Sequence, residues 1–422
     1  MDRRTFLRLG GAAAMTPAVA ALLAACGGGD DDEDVSAAVQ EGTAGSASTV
    51  TSVPPRPVKL GIIALTDCAS LVMAKQLGYF AERNLDVTIE KQASWPATRD
   101  NLINGQIDGA HCLFGMPFSV ATGIGGSGGT PLKIAMMINN NGQAITLKKE
   151  FADVGYGDLA AAKAALERKE PTLAMTFPGG THDTWLRYWL HATKVDRSKV
   201  KIIPVPPPNM VENMKAGNME GFCVGEPWNA VAVQQGIGFT HLTTQDLWLN
   251  HPEKALVVNE KFAAEKADVL ADVMKAVLKA SKWLDDLTNR AQAATTIGDP
   301  AFVNAPAADI QGRLLGQYDL GAGLPPKTYQ GNQMVFYRDG AVNFPRRAHG
   351  IWYMAQYQRF GLLKEAPPYQ QLVDDIILSD LYEKVAADEG IAIPADDMAP
   401  FPVQLDNVTF DPAKPAEEVA RP

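Results

Sequence analysis

The side chains with chemistry to offer are four cysteines and six histidines, one of which is set at a strand-to-helix junction. The histidines are His111, His182, His191, His241, His251 and His349. None falls in a His-Glu-x-x-His pair, which would put two imidazoles on one helical face around zinc. Gly125-Gly126-Ser127-Gly128-Gly129 fits the Gly-x-Ser-x-Gly spelling only as part of a glycine run, without the strand that leads into a nucleophile elbow. Gly123 to Gly129 is glycine-rich, but the Lys-Ser/Thr pair of a phosphate loop does not follow it. The cysteines, Cys26, Cys68, Cys112 and Cys223, have no metal-ligand spacing, and the last three read as small core residues. Catalysis needs a nucleophile with its base, or a metal with several ligands. Neither is spelled out, so the chain reads as a binder without a cofactor or metal, not as an enzyme.

His182 is the exception. It follows Gly179-Gly180-Thr181, where a strand gives way to a helix. Free backbone N–H groups at a helix start attract an anion. An imidazole there adds a donor and, when protonated, a charge. The alternative is a capping or structural histidine. Trp185 and Trp189, one turn apart on the same helix, read as core.

The N-terminus speaks of export. Arg3-Arg4 in Asp2-Arg3-Arg4-Thr5-Phe6-Leu7 reads as a twin-arginine signal, followed by a weakly apolar stretch from Gly10 to Ala25. A membrane span needs about 20 strongly apolar residues, and this stretch is too short and too rich in Ala and Gly. It ends in Leu23-Ala24-Ala25-Cys26, a lipobox order. Cleavage after residue 25 would leave Cys26 to be acylated, and two or three acyl chains anchor a protein stably to membrane lipid. Residues 26–57 then read as a disordered tether. They run through Gly27-Gly28-Gly29 and Asp30-Asp31-Asp32-Glu33-Asp34 to Pro54-Pro55-Arg56-Pro57, with little apolar surface to offset ordering entropy.

The formal charge is −10, and removing a leader with three arginines and one aspartate brings it near −12. So acidic a body is a poor nucleic-acid binder. An anion site in it must be locally positive against the global field.

Apolar runs and helical periodicity alternate along the chain. Strands are expected at Val58 to Ile63, Leu85 to Ile89, Gly109 to Leu113, Leu132 to Ile138, Thr172 to Thr176 and Gly221 to Val224. Helices are expected at Ala69 to Phe80, Pro96 to Ile103, Thr184 to Ala192, Met210 to Ala216, Trp228 to Gln235 and Phe262 to Leu287. This is an α/β pattern in two series, predicting two lobes with a ligand cleft beyond the carboxyl ends of the strands. The two-lobed body is expected over residues 58–390, with the second lobe near 150–250. The extension over residues 391–422 either wraps the body or stays loose.

Several strings carry a resemblance. They are Lys59-Leu60-Gly61-Ile62-Ile63-Ala64-Leu65-Thr66-Asp67-Cys68-Ala69, Gly78-Tyr79-Phe80, Ala93-Ser94-Trp95, Asp108-Gly109-Ala110-His111 and Asn141-Gly142-Gln143-Ala144-Ile145-Thr146-Leu147. Further on come Gly180-Thr181-His182-Asp183-Thr184-Trp185-Leu186-Arg187-Tyr188-Trp189-Leu190, Gly221-Phe222-Cys223-Val224-Gly225-Glu226-Pro227-Trp228-Asn229-Ala230 and Asn250-His251-Pro252-Glu253-Lys254-Ala255. Together they resemble the nitrate- and bicarbonate-binding proteins of ABC importers. The resemblance implies a periplasmic-binding-protein fold of type II topology, with two lobes and two crossings. It also implies an exported, membrane-anchored partner of ABC permease subunits, acting in nitrate transport on the periplasmic side.

The same resemblance places the ligand contacts. Lys254 supplies the main charge, His182 a donor, Gln143 an amide hydrogen, and Trp95 a ring or an indole N–H. Thr66 and Asp67 border the cleft, Asp67 orienting a donor. Glu226 orients Lys254 by pairing with it, or helps to bind a cation. Nitrate is a planar anion with acceptors only, whereas bicarbonate also donates a hydrogen and wants an acceptor. Nitrate binders of the family carry a histidine where this chain has His182, which favours nitrate, with nitrite second and bicarbonate as the alternative. A cytoplasmic nitrate sensor of the same fold would partner a regulator, but the leader and Cys26 argue against it.

Overall fold

The computed structural model describes residues 53–422. The export signal, Cys26 and the tether as far as residue 52 lie outside the described residues. The first strand begins at Arg56, inside the stretch read as tether, and the Arg56 guanidinium donates to Asp272 and to the Arg83 carbonyl.

Ten strands build two sheets. The first sheet holds β1 (Arg56–Ile62), β2 (Leu85–Lys91), β3 (Gly109–Leu113) and β4 (Leu132–Asn140). The second holds β5 (Gln143–Lys148), β6 (Thr172–Met175), β7 (Lys201–Pro204), β8 (Gly221–Gly225) and β9 (Gly238–Thr243). The last of these ten, β10 (Pro252–Asn259), returns to the first sheet. The orders are β2-β1-β3-β10-β4 and β7-β6-β8-β5-β9. In each sheet the three βα strands are parallel, and the strand arriving from the other lobe runs antiparallel to its neighbours. The chain therefore crosses between lobes twice, at Asn141-Gly142 and again between Thr243 and Pro252. Gly142 takes φ +94, a backbone conformation that other side chains rarely adopt, and Met334 packs against it, so the first crossing favours a glycine.

Helices cover both sheets: α1 (Ala69–Gln76), α2 (Trp95–Ile103), α3 (Gly115–Ala121), α4 (Leu159–Lys169), α5 (Thr181–Thr193), α6 (Met210–Lys215) and α7 (Trp228–Gln234). The Ser94 hydroxyl caps α2 by accepting from the Ala97 N–H at 3.3 Å. The periodic stretch expected as one helix from Phe262 is two, Glu260–Glu265 and Ala267–Asp285, broken at Lys266 with φ −134. No strand is legible in the sequence at β5, β7, β9 or β10. Two of these open on polar or charged residues, Gln143 and Glu253-Lys254, which composition assigns to a wet loop. Here they are fully buried.

The helix Arg347–Arg359 joins the lobes from behind. Its Tyr357 hydroxyl reaches the carbonyls of Gly115 and Gly179, and its Tyr353 ring packs on Phe114 and Trp185. Trp185 sits in an aromatic box with Trp248, Trp352 and His251, and Trp185 and Trp189 are fully buried. The C-terminal extension folds back on the body. Phe401 stacks on Trp248 at 4.6 Å, and the helix Pro415–Val419 lies on Arg347–Arg359. Cys68, Cys112 and Cys223 are buried and free. Among the described residues no helix is long and apolar enough to cross a membrane.

Two core histidines tie stability to pH. Burial holds His241 and His251 down at about 4, against an ordinary 6.5. Between those values the unfolded chain carries protons that the folded chain does not. Stability is thus highest above about 6.5 and falls as pH drops toward 4, by about 1.4 kcal/mol per unit per histidine. Urea midpoints should be clearly lower at pH 5.5 than at pH 7.5. Equal midpoints would mean that these imidazoles ionise freely inside the fold.

Candidate functional site

The loops that follow the carboxyl ends of β1, β6 and β8 converge where the lobes meet, as open α/β sheets dictate. The Thr66 N–H donates to the Glu226 carbonyl at 2.8 Å, and the Trp228 indole donates to the Ala64 carbonyl at 2.8 Å. Both contacts run from the loop after β1 to the region after β8, so the two lobes are closed on each other.

A charged cluster is sealed in this seam. The Lys254 ammonium lies 2.7 Å from Asp67 Oδ2 and also contacts Glu253 Oε1. Asp67 Oδ1 accepts from His111 Nε2 at 2.7 Å. The Ile63 N–H donates to His111 Nδ1 at 3.3 Å, which places the His111 proton on Nε2. His182 Nδ1 meets the Thr176 hydroxyl at 2.6 Å, and His182 Nε2 stands 3.4 Å from Glu253 Oε1. All five titratable groups are fully buried. Glu253 and Lys254 are adjacent on a strand and should point to opposite faces. Register breaks in β10 between Pro252 and Ala255 bring both into one cluster.

Electrostatics follows from the pairing. Burial pulls the Lys254 pKa down, but Asp67 and Glu253 outweigh it and hold the group above its ordinary value. Burial raises Asp67, yet Lys254 and His111 bring it to about 2. Glu253 is likewise lowered, Lys254 overcoming burial. Burial depresses His111 and His182, against the pull of Asp67 and Glu253 respectively. At neutral pH the cluster holds one cation, two carboxylates and two neutral imidazoles.

Around it lie buried polar atoms without hydrogen-bond partners: Thr66 Oγ1, Trp95 Nε1, both amide atoms of Gln143, Thr181 Oγ1 and His182 Nε2. Such orphans cost about 1–3 kcal/mol each unless a ligand takes them up. The Trp95 ring is 5.8 Å from the Lys254 nitrogen, and Gln143 pairs with Gly225 across β5 and β8. A Cβ on Gly225 would stand 3.3 Å from Asp67 Oδ2 and 3.7 Å from His182 Nε2. The bare Gly225 backbone thus lies directly against the charged cluster.

Of the residues expected to bind, Thr66, Trp95, Gln143, His182 and Lys254 come together at this seam. Glu226 does not join them through its side chain. Its carboxylate pairs with Arg313 at 3.3 Å and accepts from the Ala230 N–H at 3.2 Å, while Lys254 pairs with Asp67 and Glu253 instead. Glu226 contributes only its carbonyl to the seam. Sequence reasoning missed His111 and Glu253. Both sit within the strings quoted above, but nothing local distinguishes them from a core histidine and a solvated carboxylate. Among the described residues no group of three or more His, Cys, Asp or Glu side chains is placed to hold a metal ion.

Gly225→Ala should weaken anion binding tenfold or more while the protein stays folded, because the new methyl group intrudes at 3.3 Å. Titration calorimetry of that variant checks it, and unchanged affinity would move the ligand away from Gly225.

A model of the NMT1-like family matches residues 51–298. The chain is 36% identical to the nitrate/nitrite binding protein NrtA of Nostoc sp. PCC 7120, over 99% of this chain and 97% of that one. It is more distant from the bicarbonate-binding protein CmpA of Synechococcus elongatus PCC 7942, at 27% identity over 88% and 87% of the two chains. The crystal structure of the periplasmic nitrate-binding protein NrtA from Synechocystis PCC 6803 superposes with a TM-score of 0.82 at 35% identity, covering 86% of this chain and 98% of that one. The chain belongs to the NMT1-like family and, within it, to the nitrate- and bicarbonate-binding proteins of ABC importers.

Proposed function

We propose that this protein captures nitrate, and nitrite as a second ligand, and delivers it to the permease of an ABC importer from a lipid anchor at Cys26. The observation that carries the reading is the ring of unpartnered buried donors around Lys254. Thr66, Trp95, Gln143 and His182 bring hydroxyl, indole, amide and imidazole groups, buried and without partners, to the seam around Lys254. A planar anion with three acceptor oxygens satisfies such a ring, and Lys254 supplies the positive charge. Opening the lobes breaks the Thr66–Glu226 and Trp228–Ala64 contacts and admits the anion; closing remakes them around it. The closed form is the one that docks on the permease.

Bicarbonate is the second reading, favoured by one observation. Glu253 Oε2 is a buried acceptor without a partner, and bicarbonate carries a hydrogen to give it. Calorimetry against nitrate, nitrite and bicarbonate, with and without calcium, separates the two. Nitrate binding without calcium supports the first reading, and bicarbonate alone would replace it. Lys254→Ala should weaken nitrate binding more than tenfold, since a charge-assisted contact contributes about 1.5–3 kcal/mol. Unchanged affinity would remove Lys254 from the site.

The anchor rests on the Leu23-Ala24-Ala25-Cys26 order and on the twin-arginine leader. The protein should fractionate with membranes and Cys26→Ala should release it. Equal membrane association of the two forms would sink the anchor.

A further inference from the structure

We propose that the site takes up a proton together with each anion and that the proton rests on His182. The proposal builds on nitrate capture and starts from charge. Asp67 and Glu253 carry two negative charges against the single positive charge of Lys254, so the cluster is already one charge negative. A bare monoanion would make it two negative, in a space closed to water. Buried excess charge is strongly disfavoured, and proteins relieve it by changing a protonation state.

Hydrogen bonding decides which group takes the proton. His111 is occupied on both sides. Its Nδ1 accepts from the Ile63 N–H at 3.3 Å and its Nε2 donates to Asp67 at 2.7 Å. Protonating Nδ1 would set two donors against each other. His182 has acceptors on both sides. The Thr176 hydroxyl lies 2.6 Å from Nδ1, and Glu253 Oε1 lies 3.4 Å from Nε2, with the bare Gly225 beside it. A hydroxyl accepts as readily as it donates, so the imidazolium is accommodated without loss.

The other groups around His182 leave it free for this role. On α5 itself, Asp183 is committed to Arg187 at 2.7 Å and to the Gly179 N–H at 2.8 Å. From β10 come Glu253 and Lys254, from the loop after β1 comes Asp67, and from the second crossing comes His251. From β8 come the uncharged Cys223 thiol and Gly225. Without the anion, burial and Lys254 keep His182 neutral despite the two carboxylates. An arriving anion tips that balance, because it offsets both Lys254 and the positive start of α5, which together disfavour an imidazolium at His182. With His182 protonated, the loaded cluster has the same net charge as the empty one. The anion bonds to Lys254 and to His182 Nε2–H, and the proton comes from solvent.

The test is calorimetry of nitrate binding to the intact protein at one pH, in two buffers of different ionisation enthalpy. The difference in heat gives the protons exchanged, and about one should be taken up per nitrate. At alkaline pH the dissociation constant should then rise tenfold per unit, as linkage of one proton requires. The His182→Gln variant keeps a neutral donor, so it should bind more weakly, with uptake near zero and little pH dependence. Buffer-independent heats with a flat dissociation constant in the wild type would overturn the proposal. Undiminished proton uptake in the variant would also overturn it, by moving the proton elsewhere. If the variant does not fold, the wild-type buffer pair still decides whether a proton is taken up. Absence of any nitrate binding in the wild type would sink the nitrate reading itself and the proposal with it.

Discussion

A lysine buried between two carboxylates is the constraint on which the rest of the site turns. Lys254 has no water to solvate it, so Asp67 and Glu253 must stand where they do. Removing a buried cation would leave its carboxylates stranded, which costs far more than the pair contributes. That requirement reaches outward along the backbone. Asp67 is presented by the loop after β1, and His111 on β3 holds its second oxygen. Glu253 is brought alongside Lys254 only because β10 breaks register. His182, from the other lobe, approaches the same Glu253. One charge thus ties together a strand, a loop and a helix start from both halves of the molecule.

The backbone geometry around the two crossings explains how such a cluster can also open. Asn141, with φ +64, links the crossings side by side. Its Oδ1 accepts from the Asn250 N–H at 2.9 Å and its Nδ2 donates to the Gln333 carbonyl at 3.1 Å. Behind them the Arg347–Arg359 helix touches α3 in one lobe and α5 in the other. The C-terminal segment locks that helix down, as Arg359 and Gln356 pair with Glu418 and Tyr188 bonds Asp406. The lobes are therefore held together at the crossings and by this helix, and at the seam by contacts such as Thr66–Glu226 and Trp228–Ala64. An arrangement of this kind favours rotation about the crossings over sliding of the lobes.

The site is polar on the inside of an acidic protein. On the proposed reading, its selectivity follows from where donors and acceptors are left without partners, more than from net charge. The unpartnered donors fit an anion that only accepts, while the free oxygen of Glu253 marks the point where a ligand with a hydrogen would be told apart. Arg313, paired with Glu226 and lying 4.3 Å over the Tyr318 ring, keeps a second buried charge pair close to the seam yet turned away from it.

Much of this was legible in the chain of residues. The apolar runs at Gly109 to Leu113 and Gly221 to Val224 are strands because continuous apolar sequence suits a strand buried on both faces. Alternating β and α signals gave the two lobes, and Gly-Gly-Thr before His182 marked the helix start that faces the seam. Family strings pointed to Thr66, Trp95, Gln143 and Lys254. The tertiary structure alone decided the strands β5 and β10, since Gln143 and Glu253-Lys254 look solvated until distant partners neutralise or enclose them. It alone turned Glu226 toward Arg313, a residue 87 positions further along the chain whose approach no local pattern announces. It also set Glu253 beside Lys254, because a register break depends on the neighbouring strands. Local sequence determines what a segment prefers, but the partner of a buried charge is fixed only when the chain folds back on itself.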